Sequence, residues 1–182
     1  KALETARQLG IENYRQLCSP DTELGRWLAT RNTMLRIGRH LFVHAGLSAR
    51  LLERNLEMDT LNARMSEGLY RTSKERREDP TLEFLYRSAG PVWYRGMVCT
   101  DEKYDPLTPE QTDALLRRYD ADRLLIGHTI FPDISTFHDG RVIAVNVQNE
   151  RNRRKNRGRA VLIEGSRISV VGNRGVKRVL EE

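Results

Sequence analysis

The stretch Asp122-Arg123-Leu124-Leu125-Ile126-Gly127-His128-Thr129 constrains the fold more than any other part of the sequence. Three consecutive apolar residues run into a Gly-His-Thr turn. A short apolar run bounded by turn residues suits a buried strand of a parallel sheet, which hides both of its faces. Open α/β sheets place their ligands at the carboxyl ends of such strands. His128 stands at that end, after a glycine that lets the backbone approach closely, and is a candidate metal ligand or proton carrier. Leu41-Phe42-Val43-His44-Ala45-Gly46-Leu47 repeats the grammar, with His44 beside Ala45-Gly46. Two apolar strands that each end in histidine near glycine predict an α/β domain with a site at its strand ends.

The surrounding elements follow from caps and periodicity. Residues 1–17 read as a helix, with Leu3, Ala6, Leu9, Tyr14 and Leu17 apolar and Gly10 as a break. Ser19-Pro20-Asp21-Thr22-Glu23 reads as a second helix start, with Leu24, Trp27 and Leu28 as its buried face and Trp27 in the core. Residues 33–37 and 40–44 form a hairpin over Gly38-Arg39. Within it Leu41 and Val43 face one way and His40, Phe42 and His44 the other, with His40 in solvent at the turn. Residues 48–87 read as a helical insert, a cap rather than part of the sheet, with Leu51, Leu61, Met65, Leu82 and Leu85 among its apolar contacts. Asp59 or Thr60 would cap a helix inside it, and the charge run 74–79 is a solvated face or loop. Thr108-Pro109-Glu110-Gln111 combines a capping box with a first-position proline, and Leu115, Leu116 and Tyr119 give that helix one apolar face. Residues 134–137 and 141–147 form a hairpin across Asp139-Gly140, leaving His138 exposed. A last hairpin joins 160–163 to 168–171 over Gly165-Ser166, and the tail 172–182 is expected to fray.

Charge narrows the function. Net charge is +6, yet six of the 31 basic residues sit in the segment 151–159, which carries no acid. The other 25 balance the 25 acids, so the basic character belongs to one loop and not to the domain. No apolar run approaches the roughly 20 residues a membrane helix needs, so no membrane partner is expected. Cys18 and Cys99 are in no CxxC spacing, which excludes a cysteine-based zinc site and favours a reducing compartment such as the cytoplasm.

His44 and His128 could share one metal, since neutral imidazole is a common transition-metal ligand. Two ligands do not hold a catalytic metal, and a two-metal phosphoesterase site also needs carboxylates, which this chain does not place beside glycine at a strand end. Between the histidines lies Gly90-Pro91-Val92-Trp93-Tyr94-Arg95-Gly96-Met97, an ordered loop. Arg95 could stack on Trp93 at the surface, or aim a guanidinium at an anion, since its fork matches phosphate oxygens.

Val43-His44-Ala45-Gly46-Leu47, Trp93-Tyr94-Arg95-Gly96 and Gly127-His128-Thr129, in that order, resemble the second half of the calcineurin-like metallophosphoesterase pattern. The nearest branch is the bacterial phosphoprotein-phosphatase type, including the Shewanella-like phosphatases, and Leu24-Gly25-Arg26-Trp27-Leu28 fits it too. The resemblance spans residues 19 to 171. It implies a four-layer α-β-β-α sandwich whose strand-end loops hold two divalent metals, manganese, iron or zinc. By the same resemblance His44 and His128 are ligands of the second metal and Arg95 clamps the substrate phosphate. A metal-bridging hydroxide would attack phosphorus directly, hydrolysing a phosphomonoester or phosphoprotein. The family's Gly-Asp-x-His-Gly, Gly-Asp-x-x-Asp-Arg-Gly and Gly-Asn-His-Glu motifs are absent from these 182 residues. Ile130 stands where other branches carry a second histidine, and Asn146 receives no role.

The expectation is therefore that residues 1–182 are the C-terminal half of one metallophosphoesterase domain, inactive alone. Its partners would be a phosphorylated substrate, the missing N-terminal half, and other copies through exposed sheet. The alternative is an anion- or nucleic-acid-binding module acting through 151–159. Against it, that segment interleaves no aromatic residue.

Overall fold

The computed structural model describes residues 2–175 and 177–181, and a five-stranded sheet lies at its centre. β1 (Met34–Ile37) and β2 (His40–Val43) form the expected hairpin, Met34 opposite Val43 and Ile37 opposite His40. Gly38 turns it at φ +56°, a region glycine enters without steric cost. β3 (Arg123–Ile126) lies parallel to β2, as its unbroken burial requires. β4 (Ser135–Phe137) and β5 (Val142–Ala144) form the hairpin over Asp139-Gly140, and β5 runs parallel to β3. The order is β1-β2-β3-β5-β4, with an antiparallel strand at each edge.

Alternation along the three parallel strands builds two cores. Leu41, Val43, Leu124, Ile126, Val142 and Ala144 face the helices, while Phe42, Leu125 and Ile143 face a second sheet. The helices are α1 (Ala2–Leu17), α2 (Glu23–Ala29), α3 (Arg50–Arg54), α4 (Met58–Gly68), α5 (Ser73–Arg77), α6 (Pro80–Tyr86) and α7 (Pro109–Arg118). Leu51, Leu61, Met65, Leu85, Leu115 and Leu116 pack directly on the sheet. Residues 48–87 thus form helices that pack on the sheet as a layer of the domain. α4 starts after Glu57, so Asp59 and Thr60 lie in its first turn instead of capping it. The charge run 74–79 is mostly helix, started by a Thr72–Glu75 capping box. The Thr108–Gln111 box and Pro109 open α7 as read.

The second sheet contains α8's successor strands. α8 (Asn149–Arg154) leads to β6 (Arg159–Glu164), β7 (Arg167–Gly172) and β8 (Lys177–Glu181), all antiparallel. Ile168 and Val170 pack against Leu125 and Ile143 across the inter-sheet core. The chain is therefore α/β and three layers deep: helices, mixed sheet, antiparallel sheet. Among the described residues no fourth layer is formed.

Several expectations fail for identifiable reasons. The tail forms β8 because its backbone pairs with β7, Lys177 opposite Val171 and Val179 opposite Ser169; Val176 and Glu182 lie outside the described residues. The segment 151–159 is not a loop: half is α8, where Glu150 and Arg154 pair one turn apart at 2.6 Å, and Arg159 pairs with Asp133 at 2.8 Å. Gly10 does not break α1, since an internal glycine costs a helix only about 1 kcal/mol. Leu9, Tyr14 and Leu17 are exposed, and Trp27 is 52% exposed, so neither N-terminal helix buries the face its pattern suggests; Leu3 and Ala6 side chains lie outside the described residues. Gly25 is the buried residue of α2, because a Cβ there would run into the carbonyl of Ser19. His138 is half-buried, its Nδ1 at 3.2 Å from Thr112 Oγ1 and its Nε2 at 3.0 Å from the Met97 carbonyl. Among the described residues no helix is long and apolar enough to cross a membrane.

Candidate functional site

Backbone hydrogen bonds bring three loops to one end of the parallel strands. His44 follows the last residue of β2, and His128 stands two residues beyond β3. Gly127 N–H donates to the His44 carbonyl at 2.8 Å. A Cβ on Gly127 would sit 3.3 Å from that same oxygen, so the close approach expected of this glycine is real. Ala45 N–H donates to the Pro91 carbonyl at 2.9 Å, which ties the 90–97 loop to the same strand end. Gly96 seats that loop: a Cβ there would collide with the Tyr94 hydroxyl and the carbonyls of Tyr104 and Asp105.

His128 adopts φ +57°, the left-handed region. A non-glycine residue there costs on the order of 1–2 kcal/mol, and such strain concentrates where side-chain placement matters. Asn146 Nδ2 donates to the His128 carbonyl at 3.3 Å and helps hold this backbone.

The side chains converge. His44 Nε2 lies 3.1 Å from His128 Nδ1, with ring centroids 5.0 Å apart and planes at 64°. Trp93 presents its ring edge-on to His128 at 5.5 Å, and Arg95 Nη1 donates to Thr129 Oγ1 at 3.1 Å. Arg95 is therefore anchored beside the His128 turn and makes no ring contact with Trp93 of the kind its surface reading required. Burial lowers the His128 pKa below the ordinary 6.5, helped by the Arg95 charge and by His44. The neutral imidazole, the form that binds metals, is favoured. His128 Nε2 is buried with no hydrogen-bond partner among the described residues.

Two nitrogens bound to one divalent cation lie roughly 3.0–3.4 Å apart, given metal–nitrogen bonds of about 2.0–2.1 Å. The observed separation of 3.1 Å fits that spacing. Without a metal it is an imidazole–imidazole hydrogen bond whose donor depends on the tautomer. Among the described residues no third His, Cys, Asp or Glu joins the pair. The two histidines thus fit as part of a donor set and not as a whole one.

Arg95 and Trp93 also line a cleft of about 630 Å³ with residues of α3, α5 and α6, a feature the sequence reading missed. Thr129, Asn146 and Trp93 were missed as participants too. No residue of 151–159 lines this cleft.

No protein-family model matches the chain, and no curated protein matches it in sequence. Solved structures do. A cold-active protein tyrosine phosphatase is 29% identical with a TM-score of 0.83, over 93% of this chain and 48% of that one. A point mutant of a cold-active protein tyrosine phosphatase is 27% identical with a TM-score of 0.84, over 100% and 52%. The enzyme of a psychrophilic Shewanella species is 28% identical with a TM-score of 0.82, over 92% and 48%. The chain spans about half the length of these structures. Its structural neighbours are phosphatases, and its α/β fold is phosphatase-like.

Proposed function

We propose that this chain supplies one half of a metal-dependent phosphoester hydrolase of the calcineurin-like kind. The observation that carries the reading is the 3.1 Å approach of His44 Nε2 to His128 Nδ1 at adjacent strand exits. The phosphatase neighbours support it, and their greater length supports a second half outside these residues. That half would bring the carboxylates the donor set lacks and the fourth layer of the sandwich.

In this reading His44 and His128 hold a divalent cation (manganese, iron or zinc), and a second cation belongs to ligands outside the chain. When bound, such a cation supplies Lewis-acid polarisation of a phosphoryl oxygen. The chain's own residues do the rest of its share. Burial and the Arg95 charge favour the unprotonated form of His128. The Gly127–His44 hydrogen bond and the left-handed backbone fix both rings before ligand arrives. Arg95 keeps further N–H donors beyond the one on Thr129, placed to grip a phosphate bidentately and to stabilise its developing charge. Trp93 sets its ring edge-on against His128 on one side of the site.

The test measures metal content and aryl-phosphate hydrolysis. The 182-residue chain should bind zinc or manganese weakly, lose that binding in His44→Ala or His128→Ala, and hydrolyse nothing. Turnover should appear only when the complementary half is supplied. Robust turnover by the chain alone, abolished by His128→Ala, would overturn the half-site claim. Unchanged metal binding in both variants would overturn the metal reading.

A further inference from the structure

The cleft beside Arg95 is far larger than a phosphate group needs. Pockets of several hundred cubic ångströms hold drug-sized groups. Its walls carry six cations (Arg50, Arg76, Arg77, Arg87, Arg95 and Lys103) against two acids, Glu83 and Asp105. Some of these cations have other work. Arg76 donates to the carbonyls of Gly68 and Leu69 at 2.8 Å each, and Lys103 pairs with Asp101 at 2.7 Å. Arg87 makes only a long 3.5 Å contact with Glu83. Arg50 and Arg77 are exposed and have no carboxylate partner among the described residues. Uncompensated arginines lining one cleft create a field that attracts anions beyond the one Arg95 would grip.

The aromatic lining selects among anions. Tyr86 is covered by the Arg76 guanidinium at 3.9 Å, and its hydroxyl donates to the Met65 carbonyl. Tyr104 carries Lys103 over its ring at 4.8 Å, and Tyr94 is buried. Trp93, 56% exposed and edge-on to His128, is the one open platform among the lining aromatics. Single-stranded nucleic acid binds through successive stacking platforms, which this cleft does not offer. A peptide needs only one.

Resting on the phosphatase reading above, we infer that the cleft is a specificity subsite for the acidic residues flanking a phosphorylated aromatic side chain in a peptide. The phosphate meets Arg95 and the histidines, its ring lies along Trp93, and neighbouring Asp or Glu side chains meet Arg50 and Arg77.

Fluorescence anisotropy tests this on the 182-residue chain with zinc or manganese present. The probes are a labelled phosphotyrosine peptide flanked by glutamates and its glutamine-flanked counterpart. The acidic peptide should bind about tenfold tighter, with the advantage shrinking as salt rises. The double variant Arg50→Gln/Arg77→Gln should bring the ratio below about twofold. Glu83→Gln should raise it, an opposite sign that a folding defect would not produce. Equal affinity for the two peptides, no binding of the acidic one, or a ratio unmoved by the variants would each overturn the subsite. So would equally good binding of a single-stranded oligonucleotide. Hydrolysis of a small aryl phosphate by the chain joined to its complementary half is the separate readout. Its failure removes the phosphatase reading, whereas loss of acidic preference alone removes only the subsite.

Discussion

His138 ties α7 to the loop of the candidate site without reaching His44 or His128. Its two ring nitrogens meet Thr112 Oγ1 on α7 and the Met97 carbonyl of the site loop. Replacing it with alanine strips both partners in a half-buried place, where an unsatisfied polar group costs about 1–3 kcal/mol. His138→Ala should lower the melting temperature by roughly 2–4 °C per kcal/mol in a chain of this size. An unchanged melting curve would show that water replaces the ring freely. Arg95→Lys separates charge from geometry. It keeps the cation and loses the fork, so affinity for inorganic phosphate, read by calorimetry, should fall about tenfold with the melting temperature unmoved. Full retention would reduce Arg95 to a point charge. At this scale the meeting of His44 and His128 was legible, because each follows a short apolar strand and stands within two residues of a glycine. Asn146 and Thr129 were not, since their parts arise from one hydrogen bond each across 18 and 34 residues of chain.

Helix starts were the most legible elements, because a cap is a local contract between neighbours. Thr108 and Gln111 satisfy each other's backbone N–H groups at the head of α7, as the sequence pattern requires. Thr108→Ala should cost about 1 kcal/mol and be visible as a loss of helix stability in thermal melts. Asp79 caps α6 in a pH-dependent way. Its carboxylate accepts the backbone N–H groups of Leu82 and Thr81 and pairs with Arg64, which lowers its pKa below the ordinary 3.8. A depressed carboxylate stabilises the fold fully above the unfolded value and loses that contribution as pH falls through the lower folded one. The melting temperature of Asp79→Asn should therefore trail that of the parent at about pH 6, and the gap should narrow as pH falls below the ordinary 3.8. A gap that stays constant over that span would mean the carboxylate's charge is irrelevant. What elements bury is less local. α1 and α2 carry apolar stripes that the sequence assigns to a core, yet Leu9, Tyr14, Leu17 and Trp27 face outward, because a stripe says which face could be buried and not what lies against it.

The whole molecule is unevenly covered. The second sheet protects Phe42, Leu125 and Ile143, but it does not reach the outer strand β1. Leu35 and Ile37 lie on that same side of the first sheet, opposite Phe42 and His40, and are 43% and 60% exposed. β1 is also an edge strand, with one row of backbone groups unpaired by any strand of the sheet. An exposed apolar edge of this kind templates pairing with another chain. The sequence showed the hairpin but could not show this exposure, because both faces of β1 carry apolar residues, Met34 on one and Leu35 and Ile37 on the other. On the reading proposed above, a complementary half of the domain would cover the edge and add a fourth layer. Without it the edge is open to a second copy, so the isolated chain should associate at micromolar to millimolar concentration. Sedimentation equilibrium should show weight-average mass rising with concentration. Leu35→Lys/Ile37→Lys, which places charges on the edge without touching Met34 in the core, should hold the chain monomeric. It should also weaken recovery of phosphatase activity when the complementary half is added. A chain that stays monomeric at every concentration, or a variant that still recovers activity fully, would place the missing half on some other face.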